Sequence, residues 1–97
     1  MSQQWRPVLA TNALLRYDPT RRADVLLLPE RAVLLNPSAG AILRRCDARH
    51  TPEDIERELR DTYREQGSDS QDSPDVGQMK AGVARFLQRA RALGWVR

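Results

Sequence analysis

Two side chains that could do chemistry lie close together in the sequence. Cys46 is the single cysteine of the chain, and His50 is its single histidine. A thiol beside an imidazole can act as a nucleophile with its general base. Cys46, however, falls on the apolar face of a predicted helix, where a small buried cysteine is usually inert. We therefore expect Cys46 to be a core residue and His50 to lie at the surface, at the entry of the next helix.

Other catalytic and metal-binding patterns are missing from the sequence. It has no paired-cysteine motif and no histidine-rich segment for zinc or an iron–sulfur cluster, and its five glycines do not form a phosphate-binding loop. The acidic residues of the segment 67–75 lack the spacing of an EF-hand calcium loop. The sequence therefore predicts a protein that binds another molecule, without catalytic residues, metal or cofactor of its own.

Length and composition limit the chain to one small domain. Its 97 residues, of which 40% are hydrophobic and 30% charged, are too few for a TIM barrel or a full dinucleotide-binding fold. One cysteine fits a reducing compartment, and the N-terminus does not have the pattern of a secretory signal. The longest apolar run, residues 25–28, is too short to cross a membrane. We expect a cytoplasmic protein without a membrane partner.

The first third of the chain predicts β-strands. Short apolar segments at 14–17, 25–28 and 32–35 are separated by proline-containing turns, and no helix fits between prolines so closely spaced. The two segments around Pro29 predict an antiparallel hairpin. Residues 1–12 precede the strands and are expected to form an N-terminal arm.

The rest of the chain predicts three helices. Asn36 and Pro37 are typical of a helix start, and Thr51 followed by Asp54 matches a capping box. The second helix has an expected inward face and an expected solvated face. The inward residues are Ile55, Leu59 and Tyr63, and the solvated residues are Glu56, Glu58, Arg60 and Asp61.

The last helix follows a predicted flexible polar loop over 67–75. Apolar residues recur at helical spacing from Val76 to Leu93, and Phe86 is expected to be their central core anchor. Gly94 is a plausible C-cap, after which Trp95 and Val96 can pack back against the helix. The opposite face is basic, with Lys80, Arg85, Arg89 and Arg91.

Charge is distributed unevenly along the chain. The formal net charge is +3, and all but one of the 16 basic residues are arginine. Residues 51–75 carry three basic and nine acidic groups, a net of −6, whereas residues 76–97 carry five basic groups and no acidic group. Such asymmetry can steer a charged partner, or it can make the two segments attract each other.

Several segments in this order resemble the PqqD family, the small peptide-binding proteins of pyrroloquinoline quinone biosynthesis. The resemblance begins at Val25-Leu26-Leu27-Leu28-Pro29-Glu30, continues through Ile42-Leu43-Arg44-Arg45-Cys46-Asp47 and Thr51-Pro52-Glu53-Asp54-Ile55, and ends at Leu93-Gly94-Trp95-Val96. Each motif alone is weak, and the order and spacing of all of them are specific. The chain departs from the family at Ala48, where glycine is common, and in the polar loop, which is rich in serine and aspartate.

The resemblance implies both a fold and a role. The fold is an α+β, winged-helix-like domain in which a three-stranded antiparallel sheet precedes three helices, in agreement with the pattern of the residues. The role is to bind a precursor peptide similar to PqqA and to present it to a radical S-adenosylmethionine enzyme similar to PqqE. In that arrangement the cofactors belong to the enzyme.

The resemblance also implies where the peptide binds. An extended peptide adds to the free edge of the third strand and lies beside the third helix. The residues expected to form this site are Arg31, Ala32, Val33, Leu34, Leu35, Met79, Lys80, Val83, Arg85 and Leu87.

Three alternatives stay open from the sequence. The basic last helix would suit a small winged-helix protein that binds DNA, although the long acidic loop before it is unlike the tight turn of a helix-turn-helix. Family members have also been linked to binding of the quinone itself. The N-terminal strands could exchange between two copies and form a swapped homodimer.

Overall fold

A computed structural model of the protein describes residues 4–65 and 76–97, with side chains described outside 63–80. Three strands precede three helices in the chain. The elements are β1 (Leu14–Asp18), β2 (Ala23–Leu27), β3 (Ala32–Leu34), α1 (Pro37–Arg44), α2 (Pro52–Glu65) and α3 (Val76–Ala92). The expected order of a three-stranded sheet followed by three helices is confirmed, whereas the winged-helix label stays a prediction.

The strands form one antiparallel sheet in the order β1-β2-β3. Opposite Leu26, which is fully buried, lie Leu15 on β1 and Val33 on β3, and these three side chains share the face that packs on the helices. The strand bounds differ slightly from those expected. β2 begins two residues before the apolar run, because Ala23 and Asp24 also pair with β1, and β3 ends at Leu34.

Both predicted helix starts are confirmed by their hydrogen bonds. The Asn36 side chain accepts a bond of 2.7 Å from the amide of Ala39, and Pro37 occupies the first turn of α1. At the start of α2, the Asp54 amide donates to the Thr51 hydroxyl and the Thr51 amide donates to the Asp54 carboxylate. This reciprocal pair is a capping box.

The end of α3 is a left-handed cap at Gly94, as predicted. Gly94 has a φ of 81°, and the amide of Trp95 donates back to the carbonyl of Ala90 at 2.9 Å. Trp95 and Val96 are buried against the core. Leu93, which was expected on the apolar stripe, is 46% exposed because it lies at the turn where the chain leaves the helix.

Hydrogen bonds join the N-terminal segment to the last residue of the chain and to the residues just after α1. Val8 and Arg97 exchange backbone hydrogen bonds of 3.2 and 2.8 Å, and the amide of Leu9 donates to the carbonyl of Cys46. The indole of Trp5 donates to the carbonyl of Arg97 and lies against the guanidinium of Arg91, 4.9 Å from the ring centre. The arm therefore forms part of the packed structure from Trp5 onward.

Two expectations about burial were wrong. Phe86 is only partly buried, whereas the adjacent Leu87 is fully buried. Glu56 was expected on the solvated face of α2 but is 6% exposed. Its carboxylate lies 3.4 Å from the guanidinium of Arg60, so the charge is compensated within the same helix. The apolar face of α2 is confirmed at Ile55 and Leu59.

Ala48 adopts a backbone conformation that favours glycine. Its φ is 68°, in the left-handed region that favours glycine. Its amide donates to the carbonyl of Pro7, which ties the connection between α1 and α2 to the N-terminal segment. None of the helices in the described part of the chain is long and apolar enough to cross a membrane.

Candidate peptide-binding edge

β3 forms one edge of the sheet, since it pairs only with β2. Just before β3, Leu28 and Arg31 exchange backbone hydrogen bonds. Just after β3, the amide of Leu35 donates to the carbonyl of Asp24. In an antiparallel pair, residues that bond to the partner strand alternate with residues that do not. Val33 therefore bonds to Leu26 on β2, in the same alternation as Arg31 with Leu28 and Leu35 with Asp24.

The same alternation assigns the free backbone groups to Ala32 and Leu34. Their N–H and C=O groups face away from β2, toward the open edge. Both residues are exposed, and Leu34 keeps 55% of its surface. Their side chains lie on the outer face of the sheet, and that of Val33 packs against the core on the inner face. The edge therefore offers two donors and two acceptors to a fourth strand.

The structure places the expected site residues in three different environments. Arg31 lies exposed at the hairpin turn, whereas Leu35, at the opposite end of β3, is buried in the core. Val83 and Leu87 are likewise buried, so their main contacts are with the core. Arg85 is exposed on α3. Met79 and Lys80 belong to α3, but their side chains lie outside the described residues, as does the expected polar loop over 67–75.

Two partly exposed apolar side chains pack against the core, one from β3 and one from α3. Val33 on β3 and Phe86 on α3 both pack against the core cluster while remaining partly open to solvent. β3 makes its main contacts with β2, and α3 makes its main contacts with α2. A peptide strand at the edge of β3 would meet Val33 first. An apolar helical stripe does not show which of its members lies at the margin, and on α3 Phe86 is such a member.

The exposed face of α3 is basic over its last turns. Arg85 and Arg89 are exposed, and neither forms an ion pair within the described residues. No acidic residue occurs from 76 to 97. Two unpaired guanidinium groups on one helix face give a positive surface that attracts acidic partners.

Cys46 and His50 do not form a nucleophile and base. The Cys46 thiol is buried and donates to the carbonyl of Ile42 at 3.4 Å. Burial raises the pKa of this thiol to about 12, with the charge of Asp47 as a second cause. His50 instead uses both ring nitrogens to contact carboxylates, 2.9 Å from Asp47 and 2.5 Å from Glu58. The thiol therefore has no base to activate it.

Cys46 is expected to be unreactive in the folded protein. Because the thiolate is the reactive form and its pKa is raised, a maleimide or disulfide reagent at pH 8 should label the native chain far more slowly than the unfolded chain. The measurement is the labelling rate with and without urea. Rapid labelling of the native chain would show that Cys46 is accessible and ionised.

His50 links α2 to the turn after α1 and should make stability depend on pH. The hydrogen bond to Asp47, helped by the charge of Glu58, raises the pKa of His50 above its usual value near 6.5. The charged imidazole therefore stabilises the fold fully below about pH 6.5, and this contribution is lost as the pH rises through the raised pKa.

Chemical unfolding at pH 5.5, 6.5, 7.5 and 8.5 would measure this effect. We expect a decrease in the free energy of unfolding over the upper part of that range, and His50→Gln should remove the decrease. The effect should be small because the carboxylate partners of His50 are 42% and 46% exposed, so that solvent screens both pairs. An equal slope in the parent and in His50→Gln would contradict the assignment.

Comparison with known proteins agrees with this architecture. The family described as Coenzyme PQQ synthesis protein D (PqqD) matches residues 25–96. A "PqqA binding protein" of Pseudomonas paraeruginosa is 32% identical over 90 residues, covering 93% of this chain and 87% of the relative. Another protein of that name, from Methylococcus capsulatus, is 33% identical over 99 residues and covers 100% of this chain and 95% of its own length.

Two further matches are a bifunctional protein and a solved structure. The bifunctional coenzyme PQQ synthesis protein C/D of Methylorubrum extorquens is 36% identical over 85 residues, which are 86% of this chain and 22% of that protein. The solution structure of the PqqD truncation of Methylobacterium extorquens PqqCD is described as a stand-alone RiPP recognition element. It superposes with a TM-score of 0.71 at 28% identity, covering 94% of this chain and 87% of that one. From the match over residues 25–96 and the shared fold, the chain belongs to the PqqD family.

Proposed function

We propose that this chain binds a PqqA-like precursor peptide by adding a segment of it as a fourth strand to the edge of β3. The observation that carries the proposal is the pair of unpaired backbones at Ala32 and Leu34, in a protein of the PqqD family. Relatives of nearly the same length are named PqqA binding proteins. Main-chain hydrogen bonds then supply affinity, and side-chain contacts on either side of the strand supply specificity.

Alternation along the added strand divides the peptide's side chains between two surfaces. Those on the inner side lie beside Val33, which is apolar and partly exposed, and this favours apolar residues there. Those on the outer side lie beside Leu34, whose exposed side chain continues the outer face of the sheet. The peptide should therefore carry apolar residues at every second position of the docked segment.

Presentation to a second protein is the other half of the proposed role. The described part of the chain contains no group of three or more histidine, cysteine or acidic side chains placed to hold a metal ion. We propose that the chemistry on the peptide belongs to a PqqE-like radical S-adenosylmethionine enzyme in the cytoplasm. The fused C/D relative supports such an arrangement, because there a PqqD-like segment is part of a longer biosynthetic protein. A swapped homodimer is a further proposal for the free chain.

Charge on α3 should accelerate association with an acidic partner. Arg85→Glu or Arg89→Glu should slow binding of the peptide or of the enzyme several-fold at low salt and reduce the dependence of the rate on ionic strength. Arg49→Glu, which changes an exposed arginine in the turn before α2, is the matched control. Association rates at two ionic strengths provide the measurement, with circular dichroism to verify folding. Association rates equal to those of the parent at both ionic strengths would show that the basic face of α3 does not contact the partner.

A titration with a synthetic PqqA-like peptide tests the function itself. We expect saturable one-to-one binding by calorimetry, and weaker binding of a peptide with the same composition in scrambled order. Duplex DNA at low and physiological salt, and the quinone, are the competing ligands. Binding of DNA with a steep salt dependence in the absence of peptide binding would favour a winged-helix DNA-binding protein. Saturable binding of the quinone alone would favour a product-binding role.

A further inference from the structure

A cavity of about 250 Å³ lies at the turn end of the sheet, apart from the free edge of β3. It is bounded by the β1–β2 turn, the first residues of β2 and both ends of α1, and none of its lining residues belongs to β3 or α3. Ala23, Leu35 and Pro37 provide its apolar walls. Since one water molecule takes up about 30 Å³ of the liquid, a cavity of this volume has the size of an amino-acid ligand.

An ion pair between Asp24 and Arg44 lines the cavity. Asp24 is 7% exposed, and Nη2 of Arg44 lies 2.8 and 2.6 Å from its two carboxylate oxygens. The carboxylate packs against Gly40 on α1, where a Cβ atom would overlap with it. The pair neutralises Asp24 and holds the guanidinium of Arg44 at the cavity. Hydrogen bonds within the described residues use only Nη2 of Arg44, whose side chain is 56% exposed, so Nε and Nη1 remain available as donors.

The rim of the cavity carries a second arginine in an unfavourable backbone conformation. Arg22 has a φ of 53°, a left-handed conformation in which glycine or asparagine is preferred. The neighbouring Arg21 lies 3.7 Å from Asp18, whereas Arg22 has no carboxylate within ion-pair distance in the described residues. A strained backbone and an uncompensated charge at a cavity are typical of a ligand-binding residue.

We propose that this cavity binds the carboxylate of an acidic side chain or of a small organic acid. Two guanidinium groups and one carboxylate leave a net charge of +1 at the site, which favours an anion. The carboxylate accepts from the guanidinium of Arg22 and the free N–H groups of Arg44, and the 57% exposed Tyr17 adds a hydroxyl donor. The ligand's methylene groups contact the apolar walls. The carboxylate belongs either to an acidic side chain of a bound peptide or to a free small acid.

Titration of the isotopically labelled full chain with glutarate tests the site. We expect the amide signals of Arg22, Ala23 and Arg44 to shift in a saturable manner, and glutaramide, the uncharged analogue, to leave them unchanged. Arg22→Gly should weaken glutarate binding at least fivefold while raising the melting temperature by a few degrees, since glycine relieves the left-handed backbone. Arg21→Gln removes the same charge outside the cavity and should leave glutarate binding within twofold of that of the parent.

The outcome also identifies the source of the carboxylate. Displacement of glutarate by a precursor peptide with glutamate, but not by its glutamine variant, assigns the site to a peptide side chain. Retention of glutarate beside the bound peptide assigns the site to a free acid. Equal glutarate affinity in the parent and Arg22→Gly, or equal affinity for glutaramide, would overturn the proposal whatever the peptide does. Because glutarate binding is measured without peptide, failure of this site is distinguishable from failure of the β3 edge.

Discussion

Leu34→Pro is expected to weaken binding of the precursor peptide about tenfold or more, a loss of roughly 1.4 kcal/mol. The reason is that the N–H of Leu34 faces the open edge of β3, and proline has no N–H to donate to an added strand. The fold should tolerate the change, because that N–H has no partner in β2 and the side chain is 55% exposed. The measurement is a calorimetric titration of folded protein with the peptide.

Two neighbouring substitutions separate the backbone contribution from other effects. Leu34→Ala keeps the N–H and shortens only the side chain, so it should bind the peptide within about threefold of the parent. Val33→Pro removes an N–H that bonds to β2, and we expect it to lower the free energy of unfolding. Affinity unchanged in a folded Leu34→Pro protein would show that the peptide docks elsewhere.

Leu87→Ala is expected to lower the free energy of unfolding by about 2–5 kcal/mol. Leu87 is fully buried on α3 and lies in the core cluster with Leu26, Leu43 and Ile55, so its truncation leaves a cavity. In a domain whose total stability is on the order of 5–15 kcal/mol, this loss would unfold a measurable fraction of the protein. Urea unfolding of the two proteins at one temperature measures the difference.

Phe86→Ala is the matched control on the adjacent residue. Phe86 loses more atoms in the substitution, yet it is only partly buried, and we expect a smaller loss than for Leu87→Ala. A larger loss for Phe86→Ala would mean that Phe86, and not Leu87, anchors α3 in the core.

Local signals in the sequence predicted the elements well. Prolines at 19 and 29 lie between the strands, and Pro37 begins α1. The caps at Asn36, Thr51 and Gly94 make the hydrogen bonds or backbone angles that their residue types indicate. These features depend on a few neighbouring residues, so their physics is contained in short segments.

Features that depend on packing could not be predicted in the same way. Phe86 and Leu87 belong to one apolar stripe, and only the direction from which α2 and the sheet approach decides which of them is buried. Glu56 has the residue type of a solvated face and is buried beside Arg60. The pairing of Asp24 with Arg44 joins residues that are 20 positions apart, which no local pattern indicates.

The sequence indicated which segment forms the edge strand but not the register of its residues. The β3 segment was identified from the family resemblance and its hairpin turn, but the difference between Val33 and Leu34 depends on the register with β2. Because hydrogen bonding alternates along an edge strand, a shift by one residue would exchange their roles. The register is seen in the backbone bonds of Leu28 with Arg31 and of Leu35 with Asp24.

Amide hydrogen exchange at β3 tests the central claim most directly. In the free protein, the amides of Ala32 and Leu34 should exchange rapidly, since they face the open edge, while that of Val33 should be protected by its bond to β2. Addition of the precursor peptide should protect Ala32 and Leu34 strongly and leave Val33 little changed. Saturating peptide that leaves Ala32 and Leu34 as exposed as before would contradict strand addition at this edge.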